Sequence, residues 1–337
     1  MPPPKRQLNI ELMRIFAMML ILLWHIKDHF MPSNSWGGGV NLLLSSTQIF
    51  ISFHVDLFIL ITGYFGIKHP KNSFLRILTI CMFYALILNL LNLYISGEIK
   101  WTEILLPMSG SPWWFLKVYM LIVLVSPILE VFVKHATKRH FYGILAVAAF
   151  IDMYMGFALQ IAPYYNHGYD IFNFVFLYLL GRTLHREDKI ITGFQSRPWL
   201  ITLVLLVCCI IRWKVQPFHS EIWYDYNSPL CILMAVCVFC LFQHIHVPEH
   251  FGKPIMFLSS SAISVYLITD YHGLRPAIAN IFLSGLTVFE NSLALSCLYI
   301  IAFMLFTYIL CCLFDMLRIT LNRVIGSSYI AIRKIVE

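Results

Sequence analysis

The chain has 337 residues, of which 59% are apolar and 12% charged, and its mean hydropathy is +0.76. Soluble domains carry about 25% charged residues, so a soluble globule is excluded and a polytopic membrane protein is implied. The net charge of +7 comes without any basic cluster interleaved with aromatics, which excludes nucleic acid as a partner.

The opening Met1 to Asn9 is proline-rich and basic, and no small-residue cleavage site follows the first apolar run. That run is therefore expected to stay in the membrane. Ten apolar stretches separated by polar breaks predict an all-α transmembrane bundle of about ten spans: 10–30, 47–67, 74–95, 112–133, 141–162, 171–184, 199–215, 229–247, 257–275 and 292–317. The sixth and seventh are short by span standards. Ten spans put both termini on one side. Seventeen of the 24 Lys and Arg fall on that side and five on the other, with Arg14 and Lys117 inside spans, so both termini are expected to be cytoplasmic. The reading divides the chain into a membrane domain, 1–317, and a basic cytoplasmic tail, 318–337, lying on the inner surface.

The first span carries Arg14 and His25. At about 100° per residue the step between them returns to within roughly 20° of its starting direction, about 16 Å along the axis, so both share one stripe. Glu11 and Met18 lie on it, and Asp28 and His29 continue it. Ionisable groups facing hydrocarbon are costly, so this stripe faces protein or water. Arg14 falls near the cytoplasmic end and His25 near the outer one, where snorkelling to the two interfaces is the bland reading. After Gly37-Gly38-Gly39, the second span contains His54-Val55-Asp56 and ends Thr62-Gly63-Tyr64. Asp56 lies near mid-membrane, placed to pair with Arg14 or to orient His25.

The basic turn that follows, with Lys68, Lys71 and Arg76, suits the phosphates of a nucleotide-bearing cofactor and equally an ordinary positive-inside loop. The fourth span opens Ser111-Pro112-Trp113-Trp114-Phe115. Arg182 to Arg197 form the largest cytoplasmic charge cluster. The outer loop 212–228 mixes Trp213, Trp223, Tyr224 and Tyr226 with Glu221 and Asp225, a composition that suits sugar stacking or an interfacial aromatic belt. Asp270, His272 and Arg275 gather at the outer end of the ninth span, level with His25. The nine cysteines stand in apolar runs without CxxC or Cys/His spacing, so no disulfide and no metal is expected from them.

Taken together, Arg14-x10-His25, the run Val55 to Tyr64 with the basic turn behind it, Trp114-Phe115-x3-Tyr119 with Pro127, and Ser264-Val265-Tyr266-Leu267 resemble the acyltransferase 3 family of integral membrane acyltransferases. Tyr178-x2-Gly181, Asn227-Ser228-Pro229 and Asp270-x4-Arg275 are similar to members that O-acetylate bacterial polysaccharides. The resemblance implies a multi-pass protein of the bacterial inner membrane. It implies transfer of an acyl group, usually acetyl from cytoplasmic acetyl-CoA, to a hydroxyl of a cell-surface or lipid-linked glycan, without a metal. It makes His25 the catalytic histidine and Arg14 its motif partner, and sets Lys68, Lys71 and Arg76 near the CoA phosphates. Two positions depart from the family pattern: Thr62-Gly63 stands for Ser-Gly, and Thr269 stands where many members have a histidine, with His272 three residues on.

Acyl transfer to an alcohol needs a base for the hydroxyl proton, which a histidine supplies near neutral pH. Asp56 or Asp28 is placed to fix its tautomer, and Asp270, His272 and Arg275 to meet the acceptor. Ionisable residues lining a helix bundle also describe a proton-coupled transporter or an exporter of lipid-linked sugar, although the sequence has no inverted repeat.

Overall fold

The computed structural model describes residues 7–31, 39–108, 113–161, 166–186, 189–215, 224–289 and 291–336, the last stretch through its backbone alone from Arg323 on. Lys5, Arg6, Gly37, Gly38, Ser111, Pro112, Glu221 and Trp223 lie outside it, as do the side chains of Arg323, Arg333 and Lys334.

All regular structure among the described residues is helical. α1 spans Leu8–His25 and runs on as a π-helical turn, Ile26–Phe30. α2 (Gly39–Ile51) and α3 (His54–Phe65) together make the second span. α4 (Pro70–Ser96) begins on a proline, whose missing N–H costs nothing in a first turn, and stops at Gly97 with φ +75°. A short α5 (Trp101–Leu105) precedes α6 (Trp114–His135). α7 (Lys138–Ala149), capped by the Thr137 hydroxyl, continues as a π stretch, Phe150–Ala158. The Asp170 carboxylate caps α8 (Ile171–His185), accepting from the N–H groups of Phe172 and Asn173.

Next come α9 (Lys189–Gln195), α10 (Pro198–Val215), α11 (Pro229–Gln243), α12 (Gly252–Ser260), α13 (Ala262–Thr269), α14 (Arg275–Thr287) and α15 (Leu293–Val336). Among the described residues, eight helical segments are long and apolar enough to cross a membrane: Leu8–Phe30, Gly39–Phe65, Pro70–Ser96, Trp114–His135, Lys138–Ala158, Pro198–Val215, Glu249–Thr269 and Leu293–Asn322. α8 and α11 are apolar but shorter.

Three boundaries differ from the sequence reading. The second span breaks at Ser52-Phe53, and the freed Ser52 carbonyl accepts from the His54 ring at 2.9 Å. The ninth ends at Thr269; Gly273 and Pro276 then release the chain into α14, a helix that the sequence reading missed because it treated Arg275-Pro276 as an end. The line drawn at 317 falls inside α15, where Arg318 is buried and forks onto Asp315 at 2.6 and 2.9 Å instead of marking a surface tail.

α1 runs through the middle of the bundle against α3, α11, α12 and α13, with Ile10, Met13, Ala17 and Leu22 buried. Lipid tails are as apolar as leucine, so close backbone approach rather than the hydrophobic effect holds such helices together. α3 and α8 use glycine for this. A Cβ on Gly181 would stand 2.5 Å from the Leu60 carbonyl oxygen, and one on Gly63 would run into the Tyr178 carbonyl.

Candidate active site

The stripe inferred on α1 is buried where it meets the bundle: Glu11, Met18 and His25 are all at most 6% exposed. Arg14 donates to the Glu11 carboxylate at 2.9 Å, one turn back. The π turn after His25 widens the helix just beyond it, a feature frequent at functional sites. It sets the His29 ring 4.8 Å from that of His25.

His25 is held by Thr269. Its Nδ1 lies 2.8 Å from Thr269 Oγ1, and that hydroxyl donates to the Val265 carbonyl at 2.7 Å, one turn back in α13. With the hydroxyl proton committed there, the hydrogen-bond network assigns the proton of the first contact to Nδ1, so His25 donates and Nε2 keeps its lone pair. A neutral imidazole in this tautomer is a base at Nε2.

Beyond it, Asp270 and Arg275 clasp each other across the turn between α13 and α14. Arg275 Nη2 donates to Asp270 Oδ1 at 2.5 Å and to the Asp270 carbonyl at 2.9 Å. His29 Nε2 stands 3.3 Å from the same carboxylate oxygen. Burial alone would push the Asp270 carboxyl up, but the hydrogen bond from His29 and the charge of Arg275 outweigh it and hold the group below the usual carboxylate range. Asp28 accepts from Gln48 Nε2 at 2.7 Å.

Of these residues, Arg14, Met18, His25, Asp28, His29, Asp270 and Arg275 border one cavity of about 530 Å³. Arg14, Ser73 and Arg76 line one end, and Asp28, His29, Asp270 and Arg275 the other, with His25 between. Also on the cavity wall, Thr62 lies 3.2 Å from the Tyr119 hydroxyl. The far end is walled by aromatic rings: Trp114 stacks on Tyr226 with centroids 5.7 Å apart and meets Tyr169 at 4.2 Å, and Trp24 stacks on His54 at 5.3 Å.

The structure therefore brings His25, Arg14, Arg76, Asp270 and Arg275 to one cavity. Lys68 and Lys71 are exposed on the turn that leads into α4, at the Arg14 end. His272 is not brought in; its Nε2 pairs with Glu103 Oε1 at 3.1 Å and its ring contacts Lys100, outside the cavity lining.

Asp56 is not brought in either. Val55, Phe58 and Thr62 form the face of α3 that lines the cavity, at spacings of three and four residues, and Asp56 lies about 100° round from Val55. It is fully buried, accepts from the Cys231 thiol at 3.4 Å, and has Arg212 as the cation within electrostatic reach. It neither pairs with Arg14 nor touches His25. Asp56→Asn is expected to keep transfer activity within about threefold while lowering stability, by roughly 1–3 kcal/mol for a disturbed buried polar group. Parallel activity and melting measurements in detergent check this.

Sequence reasoning did not foresee Thr269 as the partner of His25, although it marked the residue as a departure. Its spacing from Tyr266 and Val265 on one turn of α13 was the available signal. His54, Tyr169 and Trp24 were missed as cavity residues because isolated aromatic and histidine positions match an interfacial belt equally well.

A family model described as an acyltransferase domain, that of acyltransferase 3, matches residues 7–316, a stretch holding every residue of the cavity. No curated protein and no solved structure matches the chain significantly. The match favours acyl transfer over the transporter reading and runs from the first of the described apolar helices into the last. The chain belongs to the acyltransferase 3 family and is a multi-pass membrane acyltransferase.

Proposed function

We propose that the protein is an O-acetyltransferase of a bacterial inner membrane, moving acetyl from cytoplasmic acetyl-CoA to a hydroxyl of a cell-surface or lipid-linked glycan. The observation that carries this reading is that one cavity has Arg14 and Arg76 at one end and His25 with the Asp270–Arg275 pair towards the other. The two ends of the α1 stripe stand about 16 Å apart, a distance an extended pantetheine arm covers. The CoA phosphates then stay with Lys68, Lys71 and Arg76 while the thioester reaches His25. The glycan enters from the opposite end, where Trp114, Tyr169 and Tyr226 offer ring faces and Asp270 an acceptor for hydroxyl donors.

The chemistry follows from the His25 tautomer. Nε2 takes the proton of the attacking hydroxyl as its oxygen bonds to the thioester carbonyl carbon. The tetrahedral intermediate collapses with cleavage of the C–S bond, and the departing CoA sulfur takes the proton back from Nε2. Thr269 holds the ring so that Nε2 faces the cavity. The same Nε2 lone pair also serves a two-step route through acetyl-histidine. Labelled acetyl retained on protein without acceptor marks that route; retention only as free acetyl-CoA marks direct attack.

The test is release of free CoA by purified protein in detergent with a glycan acceptor, which a transporter does not give. Replacing Lys68, Lys71 and Arg76 with Gln is expected to raise KM for acetyl-CoA at least about tenfold, since charge-assisted phosphate contacts contribute ~1.5–3 kcal/mol each. KM for the glycan should change little; equal rises in both count against a CoA site on this turn. Mass spectrometry of surface glycans from cells with and without the gene identifies the acceptor.

A further inference from the structure

A second cavity, of about 480 Å³, opens between the C-terminal ends of α6 and α8, and we propose that it is a binding site for a phosphate group, separate from the acyl-transfer cavity. Its charged lining is Lys134, Arg182, Arg186 and Glu130, with His185 and two valines completing it. Three permanent cations face one carboxylate.

That carboxylate is already engaged. The Tyr178 hydroxyl donates to Glu130 Oε1 and accepts from the Ile67 N–H at 3.2 Å, while Arg182 Nη2 stands 3.4 Å from Glu130 Oε2. Gly66, at φ +69°, presses the backbone onto this pair: a Cβ there would stand 2.8 Å from Glu130 Oε1. Arg186 lies over the Phe141 ring, its Cζ 4.0 Å from the centroid, and donates Nη2 to the Val133 carbonyl at 3.4 Å. Two guanidinium donors remain, Arg182 Nε and Arg186 Nη1, both buried and both without an acceptor.

Cations at helix C-termini are common because they offset the helix dipole, and that accounts for basic residues at Lys134, Arg182, His185 and Arg186. It does not account for buried donors left without an acceptor beside an open cavity, since a buried N–H is normally satisfied. A group that offers several acceptor oxygens with negative charge completes them, and planar guanidinium forks suit phosphate oxygens. Arg182, in the last turn of α8, and Arg186, the residue that caps its C-terminus, both line this cavity.

Two sources present such a group at the basic end of the bundle. Basic pockets between transmembrane helices take anionic phospholipid headgroups. A nucleotide bearing a phosphate monoester, such as the adenine end of CoA, presents the same chemistry; that arm rests on the function proposed above, whereas the lipid arm does not.

The experiment uses the full chain in detergent. Native mass spectrometry counts retained phosphatidylglycerol against phosphatidylcholine, and calorimetry measures binding of 3′-phosphoadenosine 5′-diphosphate. Both are repeated on Lys134→Gln/Arg186→Gln and on Arg182→Lys, which keeps the charge beside Glu130 but loses the fork. Preferential retention of phosphatidylglycerol that falls roughly tenfold or more in the variants supports the site and names the lipid. The same fall for the nucleotide supports it and names the nucleotide. If neither probe binds the wild type, or if binding is unchanged in variants that elute as monodisperse protein, the proposal is overturned. Should the double variant aggregate, Lys134→Gln alone, at an exposed residue, decides between the same outcomes by a several-fold fall or none.

Discussion

His25→Ala is expected to lower acetyl transfer by about 10²- to 10⁴-fold, the range that a positioned acid–base group contributes. The imidazole sits in the cavity with Nδ1 tied to Thr269, so removing it takes away the base. Expression, elution as a single peak and CoA binding should remain near wild type. An active, normally expressed His25→Ala protein would sink the assignment. Thr269→Val keeps the volume and removes the hydroxyl, leaving the ring without its anchor. Transfer should fall about tenfold through kcat, with KM for acetyl-CoA almost unmoved, and Thr269→Ser should restore it. A loss in KM alone would give Thr269 a binding role. Because His29 and His54 are further imidazoles on the cavity wall, His54 donating from its ring to the Ser52 carbonyl, His29→Gln and His54→Gln test whether the base has been assigned to the correct histidine.

The second large effect is structural. Gly181→Val is expected to abolish monodisperse protein or to lower the unfolding midpoint in detergent strongly, because the atoms its Cβ meets are the Leu60 oxygen and the Tyr64 nitrogen, both main chain. No side chain can rotate away, so α3 and α8 must separate; overpacking of this kind costs about 1–3 kcal/mol or more. Separation would also shift Thr62, next to Gly63, out of the cavity wall. Gly143 and Gly193 provide the contrast. Both are helical and a Cβ on either meets nothing within 4 Å, so alanine there should be neutral or stabilise by about 0.5–1 kcal/mol. Gly181→Val and Gly143→Ala behaving alike would show that the close helix approach does not matter.

Much of this was legible because the membrane simplifies the physics. A helix must satisfy its own backbone in lipid, so apolar length identifies it: each predicted stretch overlaps helical structure, eight of them in segments long and apolar enough to cross a membrane and two, α8 and α11, in shorter helices. The first-helix stripe was equally readable: periodicity alone puts Arg14 and His25 on one face, and cost alone turns that face inward. Residues with two explanations were harder. His272 and Asp56 are as ionisable as Asp270, yet one is bound to Glu103 and the other to Cys231.

What the sequence determined by itself is the all-helical membrane bundle, its apolar helices, the buried stripe on α1, and through its motifs the acyltransferase family. What only the tertiary structure decided is which neighbour each polar face meets. Periodicity fixes the direction of a side chain about its own helix axis but not the rotation of that helix against the others. Asp56 and Val55 differ by a single step in sequence, and helix rotation sends one to the cavity and the other to Cys231. The same rotation of α13 places Thr269, rather than a carboxylate, under the His25 ring, and so sets which nitrogen keeps the lone pair.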